Sequence, residues 1–201
     1  VVMMSPSATS PGLTTLDDNG YFFRTAPSDA RGGQILADIT KDRKVKSVAI
    51  TYTNNDYGKG LADVYEAAVK AHGIKVTTVT AHEDGKADYS SEVATLASAG
   101  GDAVAVIGYL DQGGKGIIQA SLDSGAFDKF ILSDGMIGQS LVDAFVKDLN
   151  KSFGSMPGST GKGAGVFAEV AKASGIDSSG PYTGESYEAA ALIVLAMLAG
   201  N

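Results

Sequence analysis

An α/β fold is predicted, with a parallel sheet sandwiched between helices. Three observations predict it. Strand-like and helix-like segments alternate between residues 46 and 150. One strand segment, Ala103-Val104-Ala105-Val106-Ile107, is apolar at every position, as a strand covered on both faces must be. Glycines follow two of the helical segments, at Gly73 and Gly125, where a left-handed cap belongs.

Taken in order, Val1 to Met4 is a short apolar strand that runs into a loop of small hydroxyl residues, Ser5 to Pro11. Tyr21 to Thr25 is a second extended piece, and a helix follows Pro27-Ser28-Asp29. Lys46 to Tyr52 is β-branched and apolar, hence a strand. Gly58 to Ala71 places Leu61, Val64, Tyr65, Ala68 and Val69 on one face of a helix. Ile74 to Val79 is the next strand. Asp88 is a candidate N-cap for a helix over Ser90 to Ser98. After the strand Ala103–Ile107 come a helix over Gly114–Ser124, a short strand Phe130–Leu132 and a helix over Gln139–Asn150. Ser152 to Gly165, rich in Gly and Ser, reads as a connection. Short and long helices follow at Val166–Ser174 and Glu185–Leu198.

Strands separated by helices imply βαβ units and a parallel sheet. Ligands then sit beyond the carboxyl ends of the strands. The loops to search are therefore 53–57, 108–114 and 133–138.

Composition excludes several functions. The formal charge of −7 argues against nucleic acid, which calls for a dense basic surface. The basic cluster Lys41, Arg43, Lys44 and Lys46 reads as a solvated helix end and crossing segment. With no cysteine there is no disulfide, thiolate nucleophile or Cys-based metal site. Its two histidines, His72 and His82, lack ligand spacing and read as solvent-facing. No metal or cofactor is expected. The longest apolar run, Ala189–Ala199, is shorter than the roughly 20 residues that cross a bilayer and reads as a buried helix.

Enzyme motifs fail at named positions. Phosphate loops ending at Gly114-Lys115 or Gly161-Lys162 would place their first glycine at Tyr109 or Met156. A nucleophile elbow around Ser186 would need glycine at Glu188. No motif supports an enzyme.

The informative residues are singletons just after strands. Ser5, Ser7 and Thr9, with Ala8 between them, offer hydroxyls and backbone amides to a carboxylate; an ordinary Ser/Pro turn would look the same. Tyr57 opens a helix, as a ligand contact or a packing aromatic. Tyr109 follows Gly108 and opens a Gly-rich loop. Asp134 follows Ser133 and precedes Gly135, as an acceptor for a ligand ammonium or as an Asx turn.

These segments resemble, in order, those of ABC-importer solute-binding proteins of the Leu/Ile/Val-binding type. The matching pieces are Met4 to Pro11, Tyr21 to Thr25 with Pro27-Ser28-Asp29, Tyr57-Gly58-Lys59-Gly60, Asp88-Tyr89-Ser90 and Gly180-Pro181-Tyr182. The resemblance implies the type I periplasmic binding fold, with two α/β lobes and a ligand cleft between them. It places residues 1–42 in one lobe, 43–155 in the other, and 156–201 back in the first, with part of that lobe missing. It implies an amino-acid ligand, its α-carboxylate at Ser7 and Thr9 and its ammonium at Asp134, with Tyr57 and Tyr109 on the cleft wall. The location implied is periplasmic or otherwise extracytoplasmic, and the partner a membrane permease. A chain lacking part of one lobe would expose the 189–198 face, so self-association is expected. Competing readings are a sensor or receptor ectodomain with this fold, the effector-binding core of a transcription regulator, and a Rossmann-like enzyme.

Overall fold

The computed structural model describes residues 1–158 and 161–200. Residues 159 and 160, within the expected Gly/Ser connection, lie outside the described residues. The centre is a parallel five-stranded sheet in the order β4-β3-β5-β6-β7. Its strands are β3 (Ser47–Thr53), β4 (Lys75–His82), β5 (Ala103–Ile107), β6 (Phe130–Leu132) and β7 (Phe153–Gly154). A separate parallel pair joins β1 (Met3–Ser5) to β2 (Phe22–Arg24).

Alternation along β5 explains its uniform apolarity. Ala103, Ala105 and Ile107 face one layer, with Leu36, Ala37, Leu61 and Tyr65 from α1 (Asp29–Asp42) and α2 (Asp56–Ala71). Val104 and Val106 face the other, with Val93, Leu96, Ile117 and Ile118 from α3 (Ser90–Ala99) and α4 (Lys115–Ser124). Both faces are therefore dry, and each Val or Ile side chain of the strand buried there stabilises the fold by about 1.5–3 kcal/mol.

The sheet order also fixes where a cleft opens. From β3 the chain moves outward through α2 to β4, then crosses back through α3 to β5 on β3's other side. The strand order reverses at β3/β5, so the loops beyond their carboxyl ends part and leave a crevice. Tyr57 follows β3, Tyr109 follows β5 and Asp134 follows β6.

Several local expectations are corrected. The connection after Asn150 contains a fifth strand, β7, too short to show a pattern in sequence. Its Phe153 carries Arg43 at 5.7 Å over the ring. The helix from Gln139 stops at Phe145 and gives way to turns, so α5 is Gln139–Phe145. Asp88 does not cap α3; its Oδ1 accepts from the Ser90 amide and hydroxyl in a local turn, and Tyr89 holds the N-cap position. A π-type turn over Leu110–Gly114 precedes α4, which Gly125 ends at φ 67°. α6 begins earlier than expected, at Lys162 (Lys162–Ala173).

His82 is not solvent-facing. It ends β4, is 2% exposed, and pairs through Nδ1 with Thr51 Oγ1 at 2.9 Å. Its Nε2 is buried without a hydrogen-bond partner among the described residues, and burial lowers its pKa. The sequence around Glu83 and Asp84 looks like a charged loop, but β4 runs farther than its apolar residues suggest.

The apolar helix α7 (Thr183–Ala199) is also not buried. Only Ala189 is enclosed, while Leu195, Met197 and Leu198 are 60%, 67% and 69% exposed. Among the described residues no helix is long and apolar enough to cross a membrane.

Candidate functional site

The loop after β1 is built by its own hydroxyls and by neighbouring chain. Ser5 Oγ accepts from the Ala8 amide at 3.1 Å and from the Ser7 amide at 3.4 Å. The Thr9 carbonyl accepts from the Asp29 amide at 2.9 Å. Arg24, at the end of β2, donates through Nη1 to the Ala8 and Ser10 carbonyls and through Nη2 to Thr14 Oγ1. Ser10 Oγ reaches the Asp56 carbonyl at 3.3 Å, joining this loop to the start of α2.

Opposite lies a phenol–carboxylate cluster. Asn55 caps α2 by accepting from the Gly58 amide at 2.9 Å, and this sets Tyr57 in the first turn. The Tyr57 hydroxyl donates to Asp134 Oδ1 at 2.7 Å and lies 3.1 Å from Ser133 Oγ. Its ring stacks on Tyr109 with centroids 5.3 Å apart. The Tyr182 hydroxyl donates to Asp134 Oδ2. Burial, then the neighbouring Asp134 charge, raises the pKa of both phenols, which keeps them as donors. Close approach requires glycine beside the acid: a Cβ on Gly135 would stand 2.4 Å from the Gly108 carbonyl oxygen.

All seven residues singled out in the sequence line one cleft of about 1120 Å³: Ser5, Ser7, Ala8, Thr9, Tyr57, Tyr109 and Asp134. They do not all present the expected atoms. Thr9 is 2% exposed, and its hydroxyl oxygen is enclosed near the Asp29 carboxyl, with no partner in hydrogen-bond geometry among the described residues. Ser5 and Ser7 keep hydroxyl hydrogens to offer, since Ser5 Oγ is an acceptor in its loop bonds.

Two residues escaped the sequence reading. Tyr182 lines the cleft from a left-handed conformation, φ 61° and ψ 13°, which a non-glycine residue adopts at a penalty. The Gly180-Pro181-Tyr182 motif was its only signal. Asp29 starts α1 beneath the loop at 5% exposure, and its Oδ2 has no partner in hydrogen-bond geometry among the described residues. Burial, opposed by Thr9 and reinforced by Asp134, raises its pKa to about 6. Its position after Ser28 suggested only a helix start.

Leu13, Leu16, Ile137 and Pro181 give the cleft an apolar wall. Lys59, the one cation on its lining among the described residues, is paired with Asp63 at 2.6 Å and exposed. No group of three His, Cys, Asp or Glu side chains among the described residues could hold a metal ion. The polar groups on the lining offer hydrogen bonds and a carboxylate charge.

Residues 1–171 match the family described as the receptor family ligand binding region. A Leu/Ile/Val-binding protein homolog of Brucella melitensis is 37% identical over 115 residues, covering 57% of this chain and 31% of that protein. The leucine-, isoleucine-, valine-, threonine- and alanine-binding protein of Pseudomonas aeruginosa is 30% identical over 154 residues, covering 75% of this chain and 40% of its own length. The chain thus spans well under two thirds of these relatives. Among solved structures, a leucine binding protein of Thermotoga maritima superposes with a TM-score of 0.81 at 20% identity, over 98% of this chain and 57% of that one. A Rhodopseudomonas palustris ABC-transporter solute binding protein, solved with p-hydroxybenzoic acid, gives 0.76 at 16% identity, over 96% and 54%. The chain belongs to the receptor family ligand binding region and carries the parallel α/β architecture of type I periplasmic binding proteins.

Proposed function

We propose that this chain is the ligand-holding portion of an extracytoplasmic solute-binding protein that serves an ABC importer, and that its ligand is a small aliphatic amino acid. The observation that carries this reading is the facing of a donor loop, Ser5 to Ser10, and an acid, Asp134, across one cleft. A zwitterion needs donors for its carboxylate and an anion for its ammonium. Ser5, Ser7 and the loop amides supply the first, Asp134 the second. The stacked pair Tyr57–Tyr109 and the side chains of Leu13, Leu16 and Ile137 suit an apolar side chain. Relatives named for leucine, isoleucine and valine support the same ligand class.

In this reading residues 1–42 and 156–201 belong to one lobe and 43–155 to the other. Tyr182 and the loop then approach Asp134 from across the cleft. A ligand that satisfies both sides favours the closed arrangement, which a membrane permease would recognise. No bond in the ligand is made or broken.

Calorimetric titration with leucine, isoleucine, valine, glutamine and 4-hydroxybenzoate tests this. Binding of the aliphatic amino acids alone supports the reading. If none of them binds more tightly than about 1 mM, or if only the aromatic acid binds, the reading fails. A receptor ectodomain of the same fold is the second reading, favoured by the family's description as a receptor region. Ligand-dependent stimulation of a reconstituted permease separates the two.

A further inference from the structure

The loop's amides depend on what holds its carbonyls. Ala8, Thr9 and Ser10 carry three successive carbonyls, and each accepts a bond from inside the protein. Arg24 Nη1 reaches the Ala8 carbonyl at 3.2 Å and the Ser10 carbonyl at 2.9 Å. The Asp29 amide holds the one between them at 2.9 Å. In a trans peptide the N–H points opposite to the C=O. The Thr9 amide shares its plane with the Ala8 carbonyl, and the Ser10 amide with the Thr9 carbonyl. Both N–H groups therefore turn away from Arg24 and Asp29. Neither donates a hydrogen bond among the described residues, and both residues line the cleft.

We infer that Arg24, which does not line the cleft, is the positioning residue that aims the Thr9 and Ser10 amides at the ligand's carboxylate. This rests on the amino-acid reading given above. Two features of arginine suit the task. One arm of its planar fork, Nη1, takes both carbonyls while the other, Nη2, takes the Thr14 hydroxyl at 2.6 Å; an ammonium has a single nitrogen and no second arm for Thr14. Its charge also polarises the Ala8–Thr9 peptide, which strengthens the Thr9 N–H as a donor. The enclosed Thr9 hydroxyl leaves these amides, with Ser5 and Ser7, as the loop's donors.

The test compares wild type with R24K and T14V. R24K keeps the charge and loses the fork; T14V removes one bond at a surface position. Amide exchange by NMR reports on the loop without any ligand, through the Ala8, Leu13 and Asp29 amides that the loop's own acceptors protect. In R24K these three should exchange about tenfold faster, the factor for one lost charge-assisted bond, while Ala105 in β5 is unchanged. T14V should show a smaller rise. Affinity for L-leucine should fall about tenfold in R24K, with L-leucinamide, which lacks the carboxylate charge, changing less than about threefold. Unchanged loop exchange, or equal losses for both probes, would overturn the inference. If wild type binds neither probe, the amino-acid reading fails and with it the assignment of these amides to a carboxylate. Faster loop exchange in that case would leave Arg24 as a brace of the loop only.

Discussion

Tyr57 and Asp134 stand 77 residues apart in the chain, yet the phenol of one donates to the carboxylate of the other at 2.7 Å. The bond joins the first turn of α2 to the turn after β6, and the Tyr182 hydroxyl completes the acid's shell from the start of α7. Asp134 is 8% exposed, so a lost donor is not simply replaced by water.

Tyr57→Phe keeps the ring stacked on Tyr109 and deletes only the hydroxyl. A loss of about 1–2 kcal/mol in unfolding free energy is expected by urea denaturation. Ligand affinity should fall as well, because Asp134 loses the group that orients it. Unchanged stability would mean that the bond contributes nothing net.

Asp134→Asn tests the proposal that Asp134 pairs with a ligand ammonium. An amide cannot pair with a cation as a carboxylate does, and one of the two phenols would face an N–H₂ instead of an acceptor. Affinity for an amino acid should fall by about 2–3 kcal/mol in calorimetry, while a ligand without an ammonium should lose little. Equal losses for both would place the ammonium elsewhere.

Tyr182→Phe removes the other donor and leaves the left-handed backbone without its tether. The expectation is weaker ligand binding with no more than about 1–2 kcal/mol lost in stability. Tyr182→Gly would relieve the backbone strain as well, so it should unfold less readily than a simple side-chain truncation would suggest. The two variants, compared by thermal melts, separate the bond from the strain.

Asp29 predicts a pH dependence. Its pKa is about 6 in the folded chain against 3.8 for the free side chain, so between those values the folded state holds more protons. Stability from this group is therefore present at low pH and is lost as pH rises through about 6, by up to about 3 kcal/mol. Asp29→Asn should remove this slope. His82 acts in the opposite sense: burial lowers its pKa, so its contribution is lost as pH falls below about 6.5. Denaturant titrations of wild type and D29N at pH 4.5 and 7.5 give the comparison. A stability difference between the two that does not change with pH would mean that Asp29 does not titrate in this window.

Gly135→Ala places a Cβ against the Gly108 carbonyl, between the turn after β6 and the residue that follows β5. A penalty of about 1–3 kcal/mol is expected, with ligand binding impaired because Asp134 must move with its neighbour. A fully active, fully stable variant would show that the two loops give way more easily than their packing suggests.

Local pattern sufficed for much of this protein. The apolar run of β5 required a sheet covered on both faces, and strand–helix alternation required parallel pairing. A parallel sheet puts the loops that can form a cleft beyond the carboxyl strand ends, so the gathering of Tyr57, Tyr109 and Asp134 on one candidate cleft was legible from position. Ser5, Ser7, Ala8 and Thr9 were legible from their hydroxyl-rich loop and its family likeness. The misses share one cause. β7 is only Phe153–Gly154, His82 hides at the end of a strand that outruns its apolar residues, and Asp29 looks like any first residue of a helix. Burial, partner geometry and the direction of a peptide plane depend on residues distant in sequence. The tertiary structure alone decided that the Thr9 hydroxyl is enclosed, that Tyr182 meets Asp134, and that Arg24 grips two loop carbonyls 14 and 16 residues before it. The sequence determined which segments form strands and which loops lie at the sheet's end, because those depend on local periodicity. Which atoms of those loops remain free to bind was settled by long-range packing.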